Sequence, residues 1–343
     1  MARKRSAIGS VVIAVVLVGA TALIAANFTS LTELAHTLAT ASWPWVLGGV
    51  VIHVGYFIAY AMLYRLGFWI VGVESRTRAL VPLVLAGMFV NIVVPTGAGS
   101  AALFIDDAAR RGQSGASAAV GVVLVLLLDL VTLIPFVGWA VWFLVSAGLF
   151  SVWAIVATVV FVLYLTGLVV LLALARARQP TVCRALGWVR RVVGRIAGRF
   201  DKHDLIDEDW PARTASRFGT AAAAIGTGWR RLAIAALWAI VLHLINLAGL
   251  WMFVRGFGEH VSLGGLVAAF AIAIVFFVVA VIPQAAPVVE AIMMAIFVQE
   301  GVAAARAVAA TLAFRAVNLW LPLVIGLGFA SRIRRFGQRP EGT

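Results

Sequence analysis

The chain has 343 residues, 63% hydrophobic and 12% charged, with a mean hydropathy of +1.06 and a formal net charge of +13. Several apolar runs reach the roughly 20 residues a helix needs to cross a bilayer, and they lack the polar face of a soluble amphipathic helix. That excludes a soluble core, and the one cysteine, Cys183, excludes both an internal disulfide framework and a cysteine-based metal cluster.

The pattern predicts an all-α fold, a polytopic helical membrane protein with about six full spans and two re-entrant hairpins. The first run, Ile8 to Ala26 behind Arg3-Lys4-Arg5, has no convincing small-residue cleavage site and reads as a retained span over about 7–27. Further spans are expected at about 43–64, 116–137, 151–175, 232–254 and 303–330, with apolar hairpins over 79–109 and 262–299. With the N-terminus in the cytoplasm, all but three of the 27 Lys and Arg fall on the cytoplasmic side; Arg255 and Arg306 lie outside and Arg315 within a span. Both termini are then cytoplasmic, the second marked by Arg332, Arg334, Arg335 and Arg339, and the expected address is the inner (cytoplasmic) membrane. Because the basic excess follows topology, no nucleic-acid partner is expected.

The stretch NIVVPTGAGSAALFIDDAARRG, Asn91 to Gly112, breaks this apolar character with a proline, three glycines and two charged doublets. In hydrocarbon an interrupted helix survives only where protein or a watery cavity satisfies its freed backbone groups. Pro95, Gly97 and Gly99 are therefore expected at the tip of a hairpin entering from the cytoplasm, with Asp106, Asp107, Arg110 and Arg111 returning to that surface. Pro283 and Pro287 mark the opposite tip. Exposed amide groups at such tips favour anions.

Between the halves, residues 176–231 form the one sizeable polar segment. Within it, Val182, Leu186, Val189, Val193, Ile196 and Phe200 alternate at steps of four and three while five arginines occupy other faces. That spacing predicts a basic amphipathic helix over 182–200 able to lie on anionic lipids of the cytoplasmic leaflet. The acidic cluster after it, Asp201 to Asp209, reads as a solvated turn rather than a metal site.

The halves answer each other. His53 precedes Arg65 by 12 residues, as His243 precedes Arg255; a hairpin proline, Pro95 or Pro283, follows 30 or 28 residues on. Gly112 and Gly301 come 17 and 18 residues after those prolines, Asp129 and Asn318 each 17 later, and Pro135 and Pro322 close the pattern. This order argues for an internal duplication, repeat one about 43–137 and repeat two about 232–330, inverted across the membrane within a single membrane domain. Such a construction places its site between the repeats near the midplane.

Ionisable groups inside spans are costly and mark function or pairing, so Asp129, Glu290 and Arg315 are the leading site candidates. The three are expected to meet one another, with Asp129 and Arg315, at matching depths, forming an ion pair across the repeat axis. Arg315 with the hairpin amides would hold a lipid phosphate, and Glu290 or Asp129 a proton or a cationic headgroup part. His53 and His243 are candidates for a proton relay, with capping of a neighbouring carbonyl as the commoner role for such histidines.

These residues also carry a likeness. Pro95 with its glycines and RRGQSGASAA, then Pro283 with Glu290 and the stretch EGVAAARAVAATLAFRAVNLWLPLVIG with its Arg315, resemble the two signature regions of the flippase-like family, the membrane domain of lysylphosphatidylglycerol synthases and of many stand-alone bacterial and archaeal proteins. The resemblance runs from about residue 8 to 332. It implies an integral membrane protein that moves a lipid between leaflets or serves a pathway handling lipid-linked sugars. A flippase for a phosphate-bearing lipid is thus the first expectation. The alternatives are a secondary transporter of a small polar solute, which needs a closed central cavity, and a non-catalytic accessory protein of envelope assembly. The chain carries no aspartate-rich glycosyltransferase motif, phosphatase signature or nucleophile with a matching base, so neither enzymatic activity nor a cofactor or metal is expected.

Overall fold

A computed structural model describes residues 36–93, 98–148, 152–177, 228–279 and 286–326, with short pieces between 183 and 223. The span expected over 7–27 lies outside the described residues, as does the basic helix over 182–200 apart from Cys183, Arg184 and Gly187. Every regular element described is helical, and the protein is a polytopic helical membrane protein.

Helix α1, Trp43–Ile70, opens on a proline in its first turn, where the missing N–H costs nothing. Two shorter helices follow, α2 (Thr77–Val93) and α3 (Ala98–Arg110), and then α4 (Gly115–Ser146), whose first turn is capped by the Ser114 hydroxyl accepting from the Ser117 N–H. Helix α5 spans Val152–Ala177. The second half repeats the order: α6 (Trp229–Gly256), α7 (Leu263–Val279), α8 (Ala286–Gln299) and α9, which runs from Ala304 through a π turn at Ala316–Trp320 to Gly326. In order, α1 to α4 hold 28, 17, 13 and 32 residues and α6 to α9 hold 28, 17, 14 and 23. The matched glycines Gly112 and Gly301 end α3 and α8 at φ of 73° and 89°, a backbone state that side chains with a Cβ resist.

Helices α1, α4, α6 and α9 are long and apolar enough to cross a membrane. Their outer faces remain apolar: Leu47 is 58% and Val51 70% exposed, as suits contact with lipid rather than water. Spans are longer than the sequence implied, α1 running to Ile70 instead of 64 and α4 to Ser146 instead of 137. Pro135 lies inside α4 and does not end it. A proline removes one backbone bond, but in hydrocarbon any other backbone state would leave more groups unbonded, so the apolar run beyond it stays helical.

Helices α1 and α6 cross in antiparallel contact. The Ser42 N–H donates to the Gly256 carbonyl at 2.7 Å at one end, the Trp238 indole donates to the Ala59 carbonyl at 2.8 Å midway, and the Arg231 guanidinium lies 4.2 Å from the Trp69 ring at the other end. Small residues permit the approach, since a Cβ at Gly249 would meet the His53 ring and one at Gly49 the Phe253 ring.

The helix pair α2–α3 is tied shut at its base. Glu74, just beyond α1, offers its carbonyl to Arg111 Nη1 at 2.6 Å and to Gln113 Nε2 at 3.0 Å, and its N–H donates to Gln113 Oε1 at 2.8 Å. The pair α7–α8 is closed in the same way beyond α6, where the Ser262 N–H donates to Glu300 Oε2 at 3.0 Å and Arg306 reaches Glu259 at 3.0 Å. Because α1 and α6 are antiparallel, the two bases lie at opposite ends of the bundle.

The apolar core is divided accordingly. One part gathers Leu63 to Ile70, the α2–α3 pair, α4 as far as Leu128 and α6 as far as Leu242. The other takes α4 from Leu130, α6 from Leu247, and the α7–α8 pair with Phe314 and Val317. Asp129, His243 and Asn246 fall between them.

Close packing at Gly249 generates a test. Adding a methyl group should cost about 1–3 kcal/mol as overpacking, so Gly249→Ala should lower the thermal unfolding midpoint of the detergent-solubilised protein. Gly55→Ala, whose Cβ would meet nothing within 4 Å, should not lower it.

Candidate functional site

A cavity of about 310 Å³ occupies the seam between the two cores. All four hairpin arms contribute their inner ends: Asn91 from α2, Ser100 from α3, Val278 from α7 and Val289 from α8. The spans add further polar side chains, namely Tyr56, Tyr60 and Tyr64 from α1, Asp129 from α4, Asn246 from α6, and Arg315 and Asn318 from α9. Phe104, Phe270, Phe277 and Met293 give it apolar walls. The cavity is thus amphiphilic.

Arg315 is 7% exposed and Glu290 4%, and the Arg315 Nε donates to Glu290 Oε1 at 2.7 Å. The pair joins the outgoing arm of the second hairpin, α8, to the final span. Its outer atoms are left over: Arg315 Nη2 and Glu290 Oε2 are both buried without a hydrogen-bond partner. Arg315 lines the cavity and Glu290 stands behind it.

The expected Asp129–Arg315 pair does not form. Asp129 instead faces His243, whose Nε2 lies 3.8 Å from its Oδ1 and 3.0 Å from its carbonyl oxygen, with the Thr132 hydroxyl 3.2 Å away. The reason is geometric. Helix α9 lies beside α8, and Glu290 reaches Arg315 across that contact, whereas α4 presents Asp129 toward α6. Both charged groups still line one cavity.

Asn318 sits in the π turn and donates from its Nδ2 to Asn246 Oδ1 at 2.9 Å, closing a polar link between α9 and α6. A π turn adds a residue to the helical repeat and is a frequent mark of functional sites. The two histidines are kept apart from one another and from the cavity wall. His53 Nδ1 lies 3.0 Å from the Gly49 carbonyl and its ring packs edge-on against Phe314; His243 packs against Phe136 and Phe270. Gly99 stands in the first turn of α3, while Pro95, Gly97 and Pro283 lie outside the described residues.

The tyrosines were not anticipated. Tyr56 and Tyr60 stack at 5.7 Å, Tyr60 meets Tyr64 edge-on at 5.5 Å, and Tyr64 stacks on Phe104 at 4.2 Å, so an aromatic ladder descends from the polar seam to the first hairpin. Their spacing of four places them on one helical face, and that was readable. No group of three or more His, Cys, Asp or Glu able to hold a metal ion occurs among the described residues.

The family model described as Lysylphosphatidylglycerol synthase TM region matches residues 7–326. The chain belongs to that family of membrane domains. No curated protein and no solved structure matches it significantly.

Removing one partner of a buried ion pair leaves the other uncompensated, at a typical cost of about 3–5 kcal/mol. Glu290→Ala and Arg315→Ala should each lower the yield and unfolding midpoint of the purified protein, and the double variant should lose less than the sum of the two. Asp129→Ala, which leaves the Arg315–Glu290 bond intact, should cost less than either single change. An additive double variant would count against the pairing.

Proposed function

We propose, taking membership of this family as premise, that the protein is a flippase that carries a phosphate-bearing lipid between leaflets of the cytoplasmic membrane. The observation that carries the reading is the amphiphilic cavity at the meeting point of two helical hairpins whose bases lie at opposite ends of the bundle. In this reading the hairpins are re-entrant and the two four-helix units are inverted repeats, the usual frame for alternating access around a midplane site.

The chemistry supports an amphiphilic ligand. Arg315 offers an unpartnered Nη2, and α3 and α8 begin beside the cavity, so the free amide groups of their first turns and their dipoles favour an anion there. Asp129, the tyrosines and Asn246 would meet the rest of the headgroup. Phe104, Phe270, Phe277 and Met293 would pack against the apolar part of the lipid next to its headgroup. That apolar and aromatic wall beside Arg315 favours an amphiphile over a small polar solute.

Orientation follows from charge. Arg76, Arg78, Arg110, Arg111, Arg230 and Arg231 gather at the end that holds the first hairpin base, while Arg255 and Arg306 lie at the other. The positive-inside rule favours the cytoplasm for the first end; with the span expected over 7–27 crossing ahead of α1, both termini would share that side. Anionic lipid gathered by the basic segment 182–200 would supply the inner leaflet site.

Two experiments test these statements. In a Cys183→Ser background, a single cysteine at Ser114 should be shielded from an impermeant thiol reagent outside intact cells and one at Glu259 labelled; labelling at Ser114 would reverse the orientation. Purified protein in liposomes should speed leaflet exchange of a phosphate-bearing lipid. Arg315→Gln should slow it roughly tenfold or more, as a lost charged hydrogen bond is worth about 1.5–3 kcal/mol. Exchange equal to that of empty liposomes across phospholipids and polyprenyl phosphates, with uptake of a small solute, would replace this reading with a secondary transporter.

A further inference from the structure

The Arg315–Glu290 pair points to the way the cavity accepts its anion. We propose that Glu290 is an internal competitor for the Arg315 guanidinium, and that one proton enters the Glu290 carboxyl for each phosphate group that takes its place. The proposal rests on the phosphate reading of the cavity given above.

The geometry sets up the exchange. Arg315 faces the cavity, whereas Glu290 lies behind it and holds only the Nε donor, at 2.7 Å. A guanidinium presents its donors in a planar fork suited to two oxygens of one anion. Here half the fork, Nη2, is buried and unpartnered, and so is the second carboxylate oxygen, Oε2. The pair is thus held by one hydrogen bond where two are available on each side. A phosphate that reached Arg315 from the cavity could take the free Nη2 and, by taking Nε as well, complete the fork.

Charge balance then calls for a proton. In the unloaded state the buried pair is neutral. An added anion would leave two negative charges against one guanidinium at a pair only 4% and 7% exposed, an arrangement that burial strongly disfavours. Protonation at Oε2 removes one of them: the Nε–H···Oε1 bond breaks, Nε–H and Nη2–H bind two phosphate oxygens, and the neutral carboxyl stays behind. One proton and one monoanion enter together, and net charge is unchanged.

No other titratable group is as well placed. Helix α7, packed along α8, carries none, and α8 adds none besides Glu290 itself; Glu300, just past its end, is engaged at the hairpin base. On α9, Arg306 is paired with Glu259 at the end of the bundle. From α1 come the cavity tyrosines and His53, which holds the Gly49 carbonyl through Nδ1, keeps its Nε2 buried and unpartnered, and lies outside the cavity lining; from α4 and α6 come Asp129 and His243, which face each other.

The test is calorimetric titration of the purified protein with dihexyl phosphate, a phosphodiester that stays a monoanion, in buffers of different ionisation enthalpy. Wild type should take up about one proton per ligand, and affinity should fall about tenfold per pH unit through the neutral range. Folded Glu290→Gln should bind without proton uptake and with a flat pH profile. Should that variant fail to fold, the wild-type proton count decides alone. Binding with no proton uptake would overturn the exchange and leave the flippase reading standing. Loss of the slope in Asp129→Asn, with the slope kept in Glu290→Gln, would also overturn it by moving the proton to the Asp129–His243 contact. Dimethyl phosphate binding as tightly as dihexyl phosphate, with the same proton uptake, would keep the exchange and remove the lipid. No binding of either probe to folded wild type or Glu290→Gln would overturn both.

Discussion

A guanidinium buried at mid-depth in so apolar a bundle persists only with a carboxylate in reach, and that requirement organises the second half of the molecule. Glu290 and Arg315 are 25 positions apart in the chain, yet their side chains meet at 2.7 Å because α8 turns back beside α9. The bond fixes the inner arm of one hairpin to a span whose own helix widens into a π turn directly afterwards. Asn318, carried by that turn, then reaches Asn246 on α6, so one buried ion pair and one amide contact lock the last span into the centre of the fold.

Around this centre the apolar packing is arranged in two blocks, one holding the α2–α3 pair and the other the α7–α8 pair. Neither block extends through the middle. Adjacent residues of α4 belong to different blocks, Leu128 to one and Leu130 to the other, and the residue between them is Asp129. Polar groups can collect at that level because the hydrophobic stabilisation is supplied above and below it. The same division lets Asn91, Ser100, Val278 and Val289, near the inner ends of the four arms, line the cavity together with the polar side chains of the spans.

Much of this was legible in the chain. Charged residues inside apolar runs stand out, so Asp129, Glu290 and Arg315 were readily singled out, and the paired spacings led from Asp129 to Asn318. The helix order and the hairpin limits followed from prolines, glycines and charge doublets, whose effects are local. Partnership was legible only in part: a meeting of the three charges was expected, and Glu290 does meet Arg315, but Asp129 does not. Matching depth in a repeat suggested Asp129 for Arg315, but depth says nothing about which way a helix turns its side chains, and α4 turns Asp129 toward His243. Tyr56, Tyr60 and Tyr64 escaped notice for another reason: amphipathic aromatic residues are ordinary in membrane helices, and only their common face, shared with Phe104, gives them a joint role. Asn246 escaped because a single amide in an apolar run gives no pattern at all.

The tyrosine ladder has a practical consequence. The chain contains four tyrosines and twelve tryptophans; three of the four tyrosines line the cavity, whereas no tryptophan is among its lining residues. The fourth, Tyr164, lies on the outer face of α5, 42% exposed. Isotopic labelling of tyrosine rings would therefore place three of four resonances on the cavity wall, with Tyr164 as an internal reference in contact with lipid. Indole fluorescence would follow the rest of the bundle, so the occupancy of the cavity and the integrity of the fold can be read through separate spectroscopic channels in the unmodified protein.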